Sequence, residues 1–111
     1  MPELTFQVQG SAAEPYDVEF IKRSDTNLSA YCTCPAGVHG QYCKHRFNIL
    51  AGITKGIVSG NLDDVEIVAS WLPGTDVHEA INKMRELEAE AAKIKKALTA
   101  AKKEVAKAMY D

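Results

Sequence analysis

The residues of this chain whose types and spacing could do chemistry lie between positions 32 and 45. Cys32 and Cys34 are separated by one residue, and after a gap of eight residues Cys43 and His45 are again separated by one. All three cysteines of the 111-residue chain fall in this stretch. Three thiolates and one imidazole complete a tetrahedral zinc shell, which leaves no coordination position for water or substrate. The pattern predicts one structural Zn²⁺ per chain, in a binding protein rather than an enzyme.

Other interpretations of these residues explain less of the pattern. His39 competes with His45 as fourth ligand, but it lies in a loop between two glycines, where solvated residues are typical. Unligated cysteines can pack as small hydrophobic residues. An odd cysteine count argues against a disulfide framework, and an iron–sulfur cluster would need a fourth thiolate. A redox sensor is a further alternative, in which oxidation of the Cys32 and Cys34 pair expels the zinc.

The neighbouring residues predict how the four ligands are positioned. On a strand, Cys32 and Cys34 point to the same face, and Pro35-Ala36-Gly37 then turns the chain sharply. On a helix, Cys43 and His45 would point about 200° apart, so Cys43 is expected just before a helix that carries His45 in its first turn. The helix start and the cations that flank His45 favour thiolates at this place.

The order of these ligands resembles that of the SWIM zinc finger, whose pattern is Cys-x-Cys, a variable gap, then Cys-x-His. The resemblance covers roughly residues 16–52 and includes Tyr31 before the first cysteine and the Cys43-Lys44-His45 triplet that opens an apolar helix. It implies a short hairpin followed by a helix, and zinc binding. It also implies contacts with DNA or with other proteins.

The remainder of the first 75 residues predicts a small antiparallel sheet and two short helices. Apolar and polar residues alternate in three segments, 4–8, 16–23 and 28–34, which indicates three strands. Residues 45–51 read as a helix with Phe47, Leu50 and Ala51 on its apolar face. A second short helix is predicted to be capped by Asn61, with Val65, Val68, Trp71 and Leu72 on its apolar face.

Residues 76–110 predict a long helix, since they contain neither glycine nor proline and can be capped by Thr75 or Asp76. Apolar residues follow a heptad repeat at a positions 77, 84, 91, 98 and 105 and at d positions 80, 87, 94, 101 and 108. This pattern favours a coiled-coil homodimer. Residues 76–90 have five acidic and two basic side chains, and residues 91–111 have six lysines and two acids. This gradient favours antiparallel pairing, although it also suits the helix dipole and solubility alone.

The sequence thus predicts an α+β fold with two domains: a SWIM-like zinc-binding head, 1–75, and a coiled-coil helix, 76–111. The head consists of a small antiparallel sheet, a zinc-anchored helix and a short helix. No apolar stretch is long enough to span a membrane, and the first residues lack the features of a signal peptide, so we expect a cytoplasmic protein.

Charge limits the kind of partner that the head can bind. The chain has a formal net charge of −2, and its first 75 residues have five basic and eight acidic side chains. A net acidic balance argues against strong nonspecific binding to phosphates. Local cations remain as candidate nucleic-acid contacts, namely Lys44, Arg46, Lys22 and Arg23, with Lys55 as a further neighbour. We therefore expect a module for macromolecular recognition, with nucleic acid as a candidate ligand. A protein-interaction adaptor without nucleic-acid contact is the alternative.

Overall fold

The computed structural model describes residues 1–110 and confirms the α+β fold class. Three strands, β1 (Glu3–Val8), β2 (Tyr16–Lys22) and β3 (Leu28–Cys32), form one antiparallel sheet in the order β1-β2-β3. Four helices follow: α1 (Pro35–Val38), α2 (Lys44–Leu50), α3 (Asp64–Trp71) and α4 (Asp76–Met109). Asp111, the last residue of the predicted domain 76–111, lies outside the described residues.

One face of the sheet forms the core, as the alternation of apolar and polar residues predicts. Most inward residues of the strands are buried, and the ring of Phe6 packs edge-on against that of Phe20. Val18 pairs with Phe6 on one side and with Cys32 on the other. Cys32 is therefore the last inward-facing residue of β3, and the core leads directly to the predicted metal ligands.

Helices α2 and α3 supply the apolar side chains opposite the sheet. In α3, Val65 and Val68 are buried as predicted. The predicted face of α2 is partly wrong, because Ile49 and Leu50 are buried while Ala51 is exposed. The helix begins directly after the buried Cys43, and Ile49 lies four residues after His45, on the same face of the helix. Phe47 is half-buried and stacks on the ring of Tyr42, with ring centroids 4.3 Å apart.

The two predicted caps have different outcomes. Asp63, rather than Asn61, occupies the N-cap position of α3, and the Asn61 amide instead donates to the Thr5 carbonyl over 3.0 Å. At the start of α4 the Thr75 hydroxyl accepts from the His78 backbone amide over 3.3 Å, which is the geometry of a cap. The Asp76 carboxylate accepts from the Leu28 backbone amide over 3.1 Å instead. Asn61 and Asp76 thus link helix starts to β1 and β3.

Segments outside the sheet bond to both of its outer strands. Beyond β1, the Gln9 amide donates to the Gly56 carbonyl and the Val58 amide to the Gln7 carbonyl, each over 2.8 Å. Beyond β3, the Arg46 guanidinium donates to the Ala30 carbonyl over 3.2 Å, and Asp76 holds the Leu28 amide. The glycine-rich connection 52–60, which sequence patterns describe only as turns, is therefore tied to β1.

The chain divides into two compact units, Met1–His78 and the region from Glu79 onward. The second unit consists of most of α4, which has 34 residues in all and is about 50 Å long at 1.5 Å per residue. None of the helices within residues 1–110 combines the length and the apolar character required to cross a membrane.

Candidate metal centre

Four side chains from three successive segments converge on one point. The ligand atoms of Cys32, Cys34, Cys43 and His45 all lie within 4.8 Å of one another. The three cysteines are buried and free of disulfides, and the histidine is half-buried. Cys34 Sγ lies 3.4 Å from Cys43 Sγ, and His45 Nδ1 lies 3.7 Å from Cys32 Sγ and 3.6 Å from Cys43 Sγ. The structure thus brings together all four residues that the sequence singles out.

Three of the six separations between ligand atoms can be compared with those around a tetrahedral zinc ion. With Zn–S bonds of about 2.3 Å and Zn–N bonds of about 2.0–2.1 Å, tetrahedral angles place two sulfurs about 3.8 Å apart and a sulfur and nitrogen about 3.6 Å apart. The two sulfur–nitrogen distances in the protein agree with this geometry within about 0.1 Å, and the sulfur–sulfur distance is shorter by about 0.4 Å. The donor set also suits zinc, which takes thiolate and imidazole ligands together. All six separations are at most 4.8 Å, so the four side chains lie close enough to hold a metal ion.

The first two ligands are held by a tight turn of backbone. Instead of the predicted sharp turn, Pro35–Val38 forms the one-turn helix α1, with proline at its start and Cys34 as its N-cap. The Gly37 amide donates to Cys34 Sγ over 3.3 Å, and the Cys34 amide donates to Cys32 Sγ over 3.5 Å. Backbone N–H groups that point at sulfur stabilise the thiolate form that binds a metal.

Gly37 is the residue of this turn that cannot carry a side chain. A Cβ atom at this position would lie 2.3 Å from the Cys32 carbonyl oxygen and 2.9 Å from the Cys32 Cβ. The obstacle is backbone, so no side-chain rotation relieves it. From its sequence context, Gly37 is predicted only as part of a turn. Its requirement for glycine comes from the close approach of α1 to the end of β3, which a local sequence pattern does not reveal.

His45 presents its Nδ1 atom to the sulfurs, and its ring lies beside that of Tyr16, with ring centroids 5.3 Å apart. Gly10 lies against both rings, where a Cβ would be 2.6 Å from the Tyr16 ring and 3.4 Å from His45 Nε2. This packing holds the imidazole in place. His39, the competing fourth ligand in the sequence, is exposed at the end of α1 and does not belong to the cluster.

Burial and mutual contacts shift the pKa values of three of the four side chains in the cluster. Burial raises the pKa of the Cys32 thiol to about 12, and the adjacent thiols add to this effect. Burial also opposes ionisation of Cys43, but hydrogen bonds from the Arg46 backbone amide and the adjacent thiols lower its pKa overall. Burial and the charge of Lys44 lower the pKa of His45, which favours the neutral imidazole. A bound divalent cation would remove the cost of ionising all three thiols together.

The four candidate nucleic-acid contacts differ in their burial and in the hydrogen bonds that they make within the protein. Arg46 is half-buried, and its guanidinium donates to the carbonyls of Ala30 and Gln41, so it joins α2 to β3 and to the loop before α2. Arg23 is exposed and donates to the Ser29 hydroxyl over 2.6 Å and to the Tyr31 hydroxyl over 3.3 Å. Lys22 is half-buried and Lys44 is exposed.

Two adjoining cavities open beside the cluster, with volumes of about 390 and 330 Å³. Both are lined by Gly10, Ser11, Lys44 and His45, and we call the pair the cluster cleft. Lys55 lines the second cavity, and among residues 1–110 no acidic side chain lines either one. The cluster cleft is therefore a locally positive part of a head that is acidic as a whole.

Comparison of the chain with protein-family models, with curated proteins and with solved structures gives no match. The resemblance to SWIM fingers is thus supported by the order and the clustering of the four ligand residues, and by no family match.

Proposed function

We propose that Met1–His78 is a structural-zinc module that serves in macromolecular recognition. The observation that carries this proposal is the convergence of three buried cysteines and His45 Nδ1 at distances that suit one tetrahedral ion. Four protein ligands close the coordination shell, so the ion would stabilise the fold and would not activate water. The ligands come from the end of β3, α1 and the start of α2, so the ion would join elements that share only a small core.

A zinc titration of the metal-free, reduced protein tests the metal assignment. We expect one Zn²⁺ per chain, and we expect the head to fold as zinc is added, because structural zinc binding is coupled to folding. Trp71 is the only tryptophan and lies half-buried in α3, so its fluorescence reports on the head and not on the distal helix. A head that gives the same tryptophan spectrum and thiol accessibility with and without zinc would contradict the proposal.

The second step of the proposal is that the cluster cleft binds an anionic group of the partner, and nucleic acid is the candidate ligand that we put to test. Lys44 and Lys55 line the cleft, and the exposed ring of Tyr42 adjoins it. Cations beside an exposed aromatic ring suit a phosphate backbone with stacked bases. The acidic balance of the head and the internal hydrogen bonds of Arg46 predict weak, salt-sensitive binding.

The combined change Lys44→Ala and Lys55→Ala is expected to weaken binding of labelled single-stranded DNA or RNA about tenfold and to reduce its salt dependence. Fluorescence anisotropy of the zinc-loaded protein measures both effects. The matched control is Lys93→Ala with Lys96→Ala, which removes the same charge from the exposed distal helix. Equal losses in both double variants would show that the cleft is not the site. Absence of binding by the unaltered protein would contradict nucleic acid as the ligand and favour the protein-adaptor alternative.

A further inference from the structure

The distal part of α4 exposes an apolar stripe that follows the heptad repeat. Four large side chains of the stripe are each more than half exposed: Leu87 (55%), Ile94 (69%), Leu98 (54%) and Val105 (55%). The stripe also has alanines at positions 80, 91 and 101, and a shallow groove runs over Ala80, Met84, Leu87 and Ala91. Such a stripe on a long solvated helix needs a covering partner.

We propose that this stripe docks on the same stripe of a second copy of the chain, with the two helices antiparallel and fully overlapped. In this alignment an a residue of one helix faces a d residue of the other. Ala80 then faces the partner's Val105, and Met84 faces the partner's Ala101. Nearer the two-fold axis, Leu87 faces the partner's Leu98, and Ala91 faces the partner's Ile94.

The sizes of these side chains favour antiparallel over parallel pairing. In the antiparallel alignment three of the four distinct layers place a large side chain against an alanine, and the fourth joins two leucines. A parallel pair would place identical residues together, which gives Ala–Ala layers at 80, 91 and 101 and layers of two large residues at 87, 94 and 98. Along one straight seam, two helices cannot lie close together at the Ala–Ala layers and further apart at the layers of two large residues. The layers of the antiparallel pair are more even in volume than those of the parallel pair, because none of its four layers joins two alanines.

The charge distribution along the helix supports the same direction. Residues 76–90 carry five acidic and two basic side chains, a net charge of −3, and residues 91–111 carry six lysines and two acids, a net charge of +4. An antiparallel pair places the acidic half beside the basic half, whereas a parallel pair places like charges together.

Individual charge pairs that flank the seam stabilise either direction and do not choose between them. In the antiparallel pair Glu88 lies beside the partner's Lys95, and Lys83 lies beside the partner's Glu104. In a parallel pair Lys83 would lie beside the partner's Glu88, and Glu90 beside the partner's Lys95. The direction therefore follows from side-chain volume and from the overall charge gradient.

Disulfide trapping of the zinc-loaded full chain tests direction and register. We expect a mixture of Leu87→Cys and Leu98→Cys chains to form cross-linked dimers under a mild thiol redox buffer, and each variant alone to form few. Rapid self-cross-linking of Leu87→Cys alone would overturn the proposal, since that thiol meets its own copy only in a parallel pair.

A matched pair of substitutions tests whether the stripe is the interface. Ala91→Lys places a charge in the seam, and Ala89→Lys makes the same change on the opposite, outer face of the helix. We expect the unaltered chain and Ala89→Lys to sediment at twice the monomer mass of 12.1 kDa. We expect the dimer of Ala91→Lys to dissociate at a concentration on the order of a hundredfold higher. A monomeric unaltered chain, a larger oligomer, or equal behaviour of the two variants would overturn the proposal. Zinc content of the same samples is a separate readout, so failure of the dimer and failure of the zinc module are distinguishable.

Discussion

Replacing His45 with alanine is expected to abolish zinc retention and to unfold the Met1–His78 unit. The change removes the nitrogen ligand and leaves three buried cysteines, of which Cys32 already resists ionisation. Structural zinc contributes about 10 kcal/mol or more to the folding of small modules, which is comparable to the whole stability of a domain. Metal analysis after gel filtration and Trp71 fluorescence measure the two effects.

The control for this prediction is His39→Ala. It removes the same kind of side chain from the same segment, but His39 is exposed and lies outside the cluster. We expect this variant to keep one zinc per chain and an unchanged thermal midpoint. A folded, zinc-loaded His45→Ala protein would show that the fourth ligand has been misassigned.

Replacing Gly37 with alanine is expected to weaken zinc binding by about tenfold to a hundredfold, although the residue is not a ligand. The new Cβ would lie 2.3 Å from the Cys32 carbonyl oxygen, so α1 would have to move away from β3. That movement would displace Cys34 Sγ, which accepts the Gly37 amide. Overpacking of this kind costs about 1–3 kcal/mol. Competition with a chromophoric chelator measures the zinc affinity.

Val38→Ala is the matched control, because Val38 follows Gly37 in α1 and its side chain is 68% exposed. We expect this variant to bind zinc as the unaltered protein does. If Gly37→Ala bound zinc equally well, the close approach of α1 to β3 would not be a condition for assembly of the centre.

Sequence periodicity predicted the three strands, because each has one buried and one exposed face and the alternation is visible within five to seven residues. The long helix was predictable for a similar reason, since its heptad repeat is uninterrupted. The clustering of the four candidate ligands was predictable because a zinc site needs a fixed donor set, which the Cys-x-Cys and Cys-x-His pairs would supply.

Features that depend on contacts between distant segments were not predictable in this way. Ile49 is buried on the face of α2 that also carries His45, which a short apolar pattern does not reveal. Asn61 reaches the Thr5 carbonyl across 56 positions of sequence instead of capping α3. Arg46 looked like a free cation because nothing near it in the sequence indicates that two backbone carbonyls accept its hydrogen bonds.

The contacts beyond β3 would have a consequence for the protein if a metal bound at the cluster were removed. The Thr33 amide donates to the Asp17 carbonyl of β2. Because backbone groups alternate in direction along a strand, the N–H and C=O groups of Leu28, Ala30 and Cys32 point away from β2, where another strand could pair with them. The Leu28 amide is bonded to the Asp76 carboxylate, the Ala30 carbonyl is bonded to the Arg46 guanidinium, and Gly37 packs against the Cys32 carbonyl. Two of these three residues, Gly37 in α1 and Arg46 in α2, belong to the segments that a metal bound to the cluster would hold in place. Loss of zinc would therefore uncover an unpaired strand edge, the usual starting point for edge-to-edge aggregation. The same ion that stabilises the head would thus also protect its solubility.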